Sequence, residues 1–289
     1  MSLASGVVTP STLAGSWSFE PALLTATVLT AVIYGRGTAR LGRRIAAPGR
    51  RRRDVAFYGG LAIVLAAVMS PLGALSAALF SAHMGQHLIL MLVAAPLLAW
   101  SRPGAALLAG LSEGGRDLVR RAAAGGLRGA GHAVTRPLVV GVVGTLVLWA
   151  WHMPSLYEAA LAYPVLHVAE HVSFLGVAVL FWAVVLGSGV RRGTPRPVAL
   201  LLVLATGVQS TALGAILVFA SMPLYPAHAE GAAAWDVSPL GDQQLAGALM
   251  WSPPALIYLV TIGWLFVRWF AEMDDPTPDR RLVVAGEHP

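Results

Sequence analysis

Apolar residues run through this chain in seven blocks, near residues 19–35, 55–80, 84–101, 138–153, 166–187, 197–222 and 244–269. A helix crosses the hydrocarbon of a bilayer with ~20 mostly apolar residues, so the blocks predict seven transmembrane helices, the first and fourth being the shortest. The class predicted is all-α: a polytopic membrane protein with one seven-helix domain over residues 1–275. Between the blocks the pattern breaks into polar, glycine- and proline-bearing stretches. The longest is 102–136, where Leu107, Leu108, Leu111, Leu118 and Val119 interleave with Arg116, Arg120 and Arg121. That spacing predicts a short amphipathic helix lying on the membrane surface, ended by Gly125, Gly126, Gly129 and Gly131. Residues 276–289, with Pro276, Pro278 and mixed charges, predict a disordered tail.

Charge orients the blocks. Hydrophobic residues make up 56% of the chain and charged residues 12%, against ~25% charged in ordinary soluble proteins. The net charge of +6 comes from arginine alone, with no lysine. A nucleic-acid reading fails because the arginines fall in short segments flanking the apolar blocks, at 36–53, 102–136, 191–196 and 268–281. This is the positive-inside distribution. The loops 154–165 and 223–243 carry Glu158, Glu230, Asp236 and Asp242 and no arginine. The expected orientation is therefore N-terminus outside and C-terminus cytoplasmic. The arginine-rich 36–53 and 102–136 segments would then lie against anionic headgroups, worth ~1 kcal/mol for each basic residue. Residues 1–19 have no basic n-region and no cleavage site, so no signal peptide is expected. There is no cysteine, so neither a disulfide nor a thiolate ligand enters the chemistry.

The candidate chemistry lies in histidine. His83 and His87 open the third block, and His167 and His171 open the fifth. Residues four apart share a helix face, so each pair can aim at one point. His152 ends the fourth block at the same expected side, in Trp151-His152-Met153-Pro154. Ionisable side chains within membrane spans are rare and are a functional signal. Imidazole is the commonest transition-metal side-chain ligand. The thioethers Met84, Met153 and Met250 lie close by, and imidazole with thioether favours copper. Glu170, Asp242 and Gln243 are candidates for further ligands or for hydrogen bonds that fix a histidine tautomer; Gln244 is a candidate for such a hydrogen bond. His228, in an outer loop, is a candidate first ligand at the mouth of the site. His132 and His288 are expected to play no part.

Ordered blocks of the sequence resemble the CtaG-type assembly factors of caa-type cytochrome c oxidase. They are Ser70-Pro71, His83-Met84 with His87, Pro96-Leu97-Leu98, Trp151-His152 with Pro154 and Tyr157, His167 with Glu170 and His171, Phe181-Trp182, Asp242-Gln243-Gln244 with Gly247, and Met250-Trp251. The resemblance spans about residues 57–269. It implies a multi-pass protein of the bacterial cytoplasmic membrane, not an enzyme. Its partners would be cytochrome c oxidase subunits and an extracytoplasmic copper donor. Its role would be in producing active haem-copper oxidase by supplying copper. The metal-ligand role of His83, His87, His152, His167 and His171 rests on spacing and sidedness, not on the resemblance.

Three other readings stay open. Two histidines from different helices could ligate haem axially. Three histidines with an open position could hold zinc in a lipid hydrolase, with Asp242 or Glu170 as base and Ser70 or Ser173 as polar partner. A scaffold whose histidines only hydrogen-bond would bind no metal.

Overall fold

The computed structural model describes residues 8–42, 49–187 and 194–274. The tail at 276–289 lies outside them, as do Arg43, Arg44, Arg191, Arg192, Arg280 and Arg281. Among the described residues all regular structure is helical. The helices are α1 (Pro21–Gly42), α2 (Arg50–Met69), α3 (Pro71–Ala78), α4 (Phe80–Ser101), α5 (Gly104–Gly110), α6 (Glu113–Ala122), α7 (Arg128–Val134), α8 (Pro137–Trp151), α9 (Pro154–Ala162), α10 (Pro164–Val185), α11 (Arg196–Val218), α12 (Ala229–Ala234) and α13 (Pro239–Met273). Proline begins α3, α8, α9, α10 and α13. Its fixed φ suits the first turn, and its missing N–H is one the helix would leave unpaired anyway.

Among the described residues five helices are long and apolar enough to cross a membrane: α1, α4, α10, α11 and α13. The count rises to seven if two bent pairs are each one span. α2 and α3 meet at 47°, and α8 and α9 at 74°. In both cases the bend sits where a proline follows within two residues of a helix end. Ser70 caps α3 by accepting the Leu72 N–H at 3.3 Å, and His152 ends α8 two residues before Pro154. The block expected at 55–80 is thus broken at Ser70, and the fourth ends at His152.

Large apolar side chains are exposed along one face of each long helix. On α10 these are Val165, Val168 and Val172, while Glu170, Phe174, Ala178, Phe181 and Val185 are buried. That is the inverse of a soluble helix: the apolar face meets hydrocarbon, and the polar groups turn inward, where partners exist.

The expected surface helix in 102–136 divides in two. Its first part, α5, packs against α1 backbone to backbone. A Cβ on Gly37 would run into the Ala106 carbonyl, and one on Gly110 into that of Ile33. The amphipathic part is α6 alone, capped by Ser112, whose side chain accepts the Gly115 N–H at 3.2 Å. The glycine break falls at Gly125 and Gly126, the latter at φ +107°; helix resumes through Gly129 and Gly131 in α7.

α4 is the most buried of the five long helices, with α2, α3, α10 and α13 packed around it. It is not uniformly α-helical: Leu90–Ala94 winds as a π-helix, so that the Ala95 N–H reaches the Leu90 carbonyl. In this register the Met91 carbonyl would accept from residue 96, which is proline and has no N–H. The indole of Trp182 on α10 supplies the missing donor at 2.9 Å. α11 and α13 form the most extensive helix pair, meeting at Gly214 and Gly247. A Cβ on Gly247 would sit 2.7 Å from the Gly214 carbonyl oxygen. This close seam sets the position of α13, which carries Asp242, Gln243 and Met250 toward α4.

Candidate metal centre

The two histidine pairs begin the two helices at the centre of the bundle, and a third helix fixes where one of them starts. Leu79, at the N-cap of α4, offers no capping side chain. Asp242 of α13 takes over. Its carboxylate accepts the N–H groups of Phe80 at 2.7 Å and of Ser81 at 3.1 Å, together with the Ser81 hydroxyl. An acid at a helix N-terminus satisfies orphan donors and complements the dipole. Asp242 therefore aligns α4 and is not free to bind a metal. Gln243 anchors the segment after α11. Its Oε1 accepts the Leu224 N–H at 2.6 Å, and its Nε2 donates to the Leu217 and Met222 carbonyls, each at 3.5 Å.

His83, His87, His167 and His171 come together as the spacing predicts. Ring centroids are 4.5 Å apart for His83–His87, 4.5 Å for His167–His171, 5.0 Å for His87–His171 and 5.8 Å for His83–His167. Glu170 sits among them, 1% exposed. Its Oε1 is 3.6 Å from His83 Nε2 and 3.9 Å from His87 Nε2. These separations exceed a hydrogen bond. They match two donors each ~2.0–2.2 Å from one ion, which lie ~3–4 Å from each other. Two groups bring ligand atoms within 4.8 Å of one another: His83, His167 and Glu170, and His87, Glu170 and His171.

Hydrogen bonding separates the two groups. His171 has Nδ1 3.0 Å from the His167 carbonyl and Nε2 3.1 Å from Gln86 Oε1; both partners are acceptors, so its single N–H serves one of them. Gln86 is held in turn by donation to the Ala67 carbonyl at 2.8 Å. By contrast His83 and His87 leave both nitrogens unpartnered, and His167 Nε2, Glu170 Oε2 and His152 Nε2 are also buried without partners. The backbone of Ser76 lies beside the His83 ring, short of hydrogen-bond geometry. Each buried unsatisfied polar group costs ~1–3 kcal/mol, and more where charged. A carboxylate buried away from an arginine costs more still. One cation among His83, His167 and Glu170 would satisfy three of these groups and neutralise the carboxylate. The donor set fits an imidazole-preferring transition ion.

His152 joins from the end of α8. Its Nδ1 lies 2.7 Å from the Leu148 carbonyl, which leaves Nε2 to face a cavity of about 40 Å³ that His87, Met84 and Met250 also line. Met153 is exposed and does not line it. His228, outside the spans, is buried, and burial pushes its imidazole down to about 4. Its Nε2 shares a hydrogen bond with the Tyr157 hydroxyl, 2.6 Å away, and its centroid is 6.4 Å from that of His83. It closes the cluster beside Phe80 rather than opening a mouth.

The serines considered for hydrolysis have structural duties. Ser70 caps α3. Ser173 donates to the Glu170 carbonyl at 2.9 Å and accepts the Trp151 indole at 2.8 Å. Composition and pattern did not single out Gln86 or Met91. Gln86 lies inside the His83–His87 turn, and Met91 follows His87 by four, so helical spacing was the available signal for both.

The family model described as cytochrome c oxidase caa3 assembly factor (Caa3_CtaG) matches residues 32–272. No curated protein and no solved structure matches the chain.

Proposed function

Since the chain belongs to the caa3 cytochrome c oxidase assembly factor family, we propose that it supplies the oxidase with copper, held at His83, His167 and Glu170 with His87 alongside. The observation that carries this reading is the set of buried, partnerless donors from α4 and α10 at ion-sharing distances. Copper is the cargo. The chain contributes a neutralising carboxylate, fixed imidazoles and a hydrocarbon-embedded setting. Without cysteine, the ligands are imidazole and carboxylate, which favours exchange over storage.

The proposed setting is the bacterial cytoplasmic membrane, crossed seven times with the N-terminus outside. The bent pairs α2–α3 and α8–α9 each count as one span. The start of α4, the start of α10 and the end of α8 then share the outer side, so copper arrives from an extracytoplasmic donor and leaves to an oxidase subunit. Asp242 and Gln86 position the site, and His171, grouped with His87 and Glu170, stands as a further candidate ligand. A zinc hydrolase is disfavoured because Asp242, Ser70 and Ser173 are engaged elsewhere and Glu170 is taken up among the proposed ligands.

The test is elemental analysis of protein purified in detergent and reconstituted with copper. Native protein should bind copper at low stoichiometry, and His83→Ala with His167→Ala should abolish binding of cupric ion. In cells lacking the wild-type chain, the double variant should yield oxidase depleted in copper. Full copper retention by the double variant, or zinc in place of copper in both proteins, would refute the reading.

A further inference from the structure

Beyond the His83–His167–Glu170 triad, a second group of donors surrounds the cavity on the other side of His87. Three thioethers line it, Met84 and Met91 from α4 and Met250 from α13, together with the imidazoles of His87 and His152. Met84 and Met250 are almost completely buried. His87 is 3% exposed and His152 8%. His152 Nε2 and both His87 nitrogens lack hydrogen-bond partners. Ser210, whose hydroxyl donates to the Met250 carbonyl at 3.1 Å, and the apolar side chains of α4, α8, α10 and α13 complete the wall. Hydrocarbon alone would fill such a space more favourably than two bare imidazoles, so the donors call for a ligand. At about 40 Å³ the space exceeds the ~10–15 Å³ that a single water needs. No carboxylate lines it, so a cation of low charge and soft character fits best. Thioether and imidazole select cuprous ion over zinc or cupric ion.

We propose that this cavity is a second station that binds cuprous ion through two to four donors drawn from Met84, Met91, Met250, His87 and His152, distinct from the triad, beside which His87 lies. The proposal deepens the copper reading and rests on it. His87 faces both places: its ring is 3.9 Å from Glu170 at Nε2, and it also lines the thioether cavity. A second cavity of about 60 Å³ adjoins, lined in common by Met91, Leu148, Phe174, Ser210 and Tyr258. The thioether station therefore lies on the side of the cluster that leads deeper into the bundle. The π-helical turn at Leu90–Ala94 contributes Met91, and the Trp182 indole holds the Met91 carbonyl. The residue whose spacing from His87 places it in the cavity is thus also locked by a neighbouring helix.

The test uses full-length protein in detergent or lipid nanodiscs. It is loaded anaerobically with cuprous ion in competition with a cuprous chelator, and separately with cupric ion. X-ray absorption of the cuprous form should show sulfur in the copper shell. The near-isosteric double variant Met91→Leu/Met250→Leu should lose that sulfur signal and weaken cuprous binding by about tenfold or more, while cupric binding stays as in the native protein. Glu170→Gln should do the reverse, losing cupric binding and keeping the sulfur signal. Copper bound by nitrogen and oxygen alone in the native cuprous form would overturn the second station and leave the triad standing. Failure to bind copper in either oxidation state would overturn both. Unchanged cuprous affinity and sulfur signal in the double variant would also overturn the station.

Discussion

Single residues in this cluster divide into those that bind and those that hold, and the two kinds should respond to mutation in opposite ways. Glu170 is a buried carboxylate without an arginine partner; its neighbours are imidazoles. Replacing it by glutamine removes a buried charge that is costly where it is left unpaired. Glu170→Gln is expected to raise the melting temperature of the metal-free protein and to abolish the further rise on adding cupric ion. Native protein should gain ~2.7 kcal/mol at a hundredfold excess over Kd. Thermal scans with and without copper check both halves. Asp242 is the contrary case. Its carboxylate caps α4 through Phe80 and Ser81, and Asp242→Ala should cost at least ~1–2 kcal/mol with or without copper, measured by the same scans. Sequence spacing placed both acids near the histidines. Only the backbone of α4 reveals that one faces the rings and the other the helix end.

At the level of elements, α4 departs from regular helix just below its histidines. Pro96 removes the N–H that the Met91 carbonyl would need in the π register, and Trp182 replaces it from another helix. Trp182→Phe keeps the aromatic packing and deletes the donor. It should cost ~1–3 kcal/mol and speed hydrogen exchange in residues 90–95, read by mass spectrometry. The α11–α13 seam is equally specific. Small residues let membrane helices approach closely, and Gly247→Ala would press a methyl against the Gly214 carbonyl 2.7 Å away. The expected result is a lowered melting temperature. Asp242 and Met250 ride on the same helix, so copper retention should fall as well, as measured by elemental analysis. The proline-started helices were readable from sequence. So was the end of the fourth block at His152, while the break at Ser70, with its bend of 47°, was not, because hydropathy continues across it.

For the whole molecule the open quantity is orientation, and the chain is suited to measuring it because it contains no cysteine. With the N-terminus outside, Glu230→Cys and Asp236→Cys should react in intact cells with a membrane-impermeant maleimide. Glu113→Cys and Glu272→Cys should react only after permeabilisation. The reverse pattern would put the histidine cluster on the cytoplasmic side and end the proposal of an extracytoplasmic donor. The rationale is the arginine asymmetry: Arg36, Arg40 and Arg50 to Arg53 lie at one end of α1 and α2, and Arg196 and Arg268 at the matching ends of α11 and α13.

Sequence by itself determined the helical membrane class, the approximate spans, the expected sidedness and the membership of the histidine cluster. These follow from block length, charge distribution and i,i+4 spacing, which depend only on the periodicity of one helix and the polarity of its surroundings. Tertiary structure decided the rest. It assigned Asp242 to a helix cap and His171 to Gln86. It left His83, His167 and Glu170 without partners, and it brought Met91 and Met250 to one cavity while leaving Met153 exposed. Those outcomes depend on which face of each helix meets which neighbour. In a bilayer, lipid is as apolar as the core, so hydropathy carries no record of that choice. Close packing at Gly214 and Gly247 and hydrogen bonds across helices make it instead.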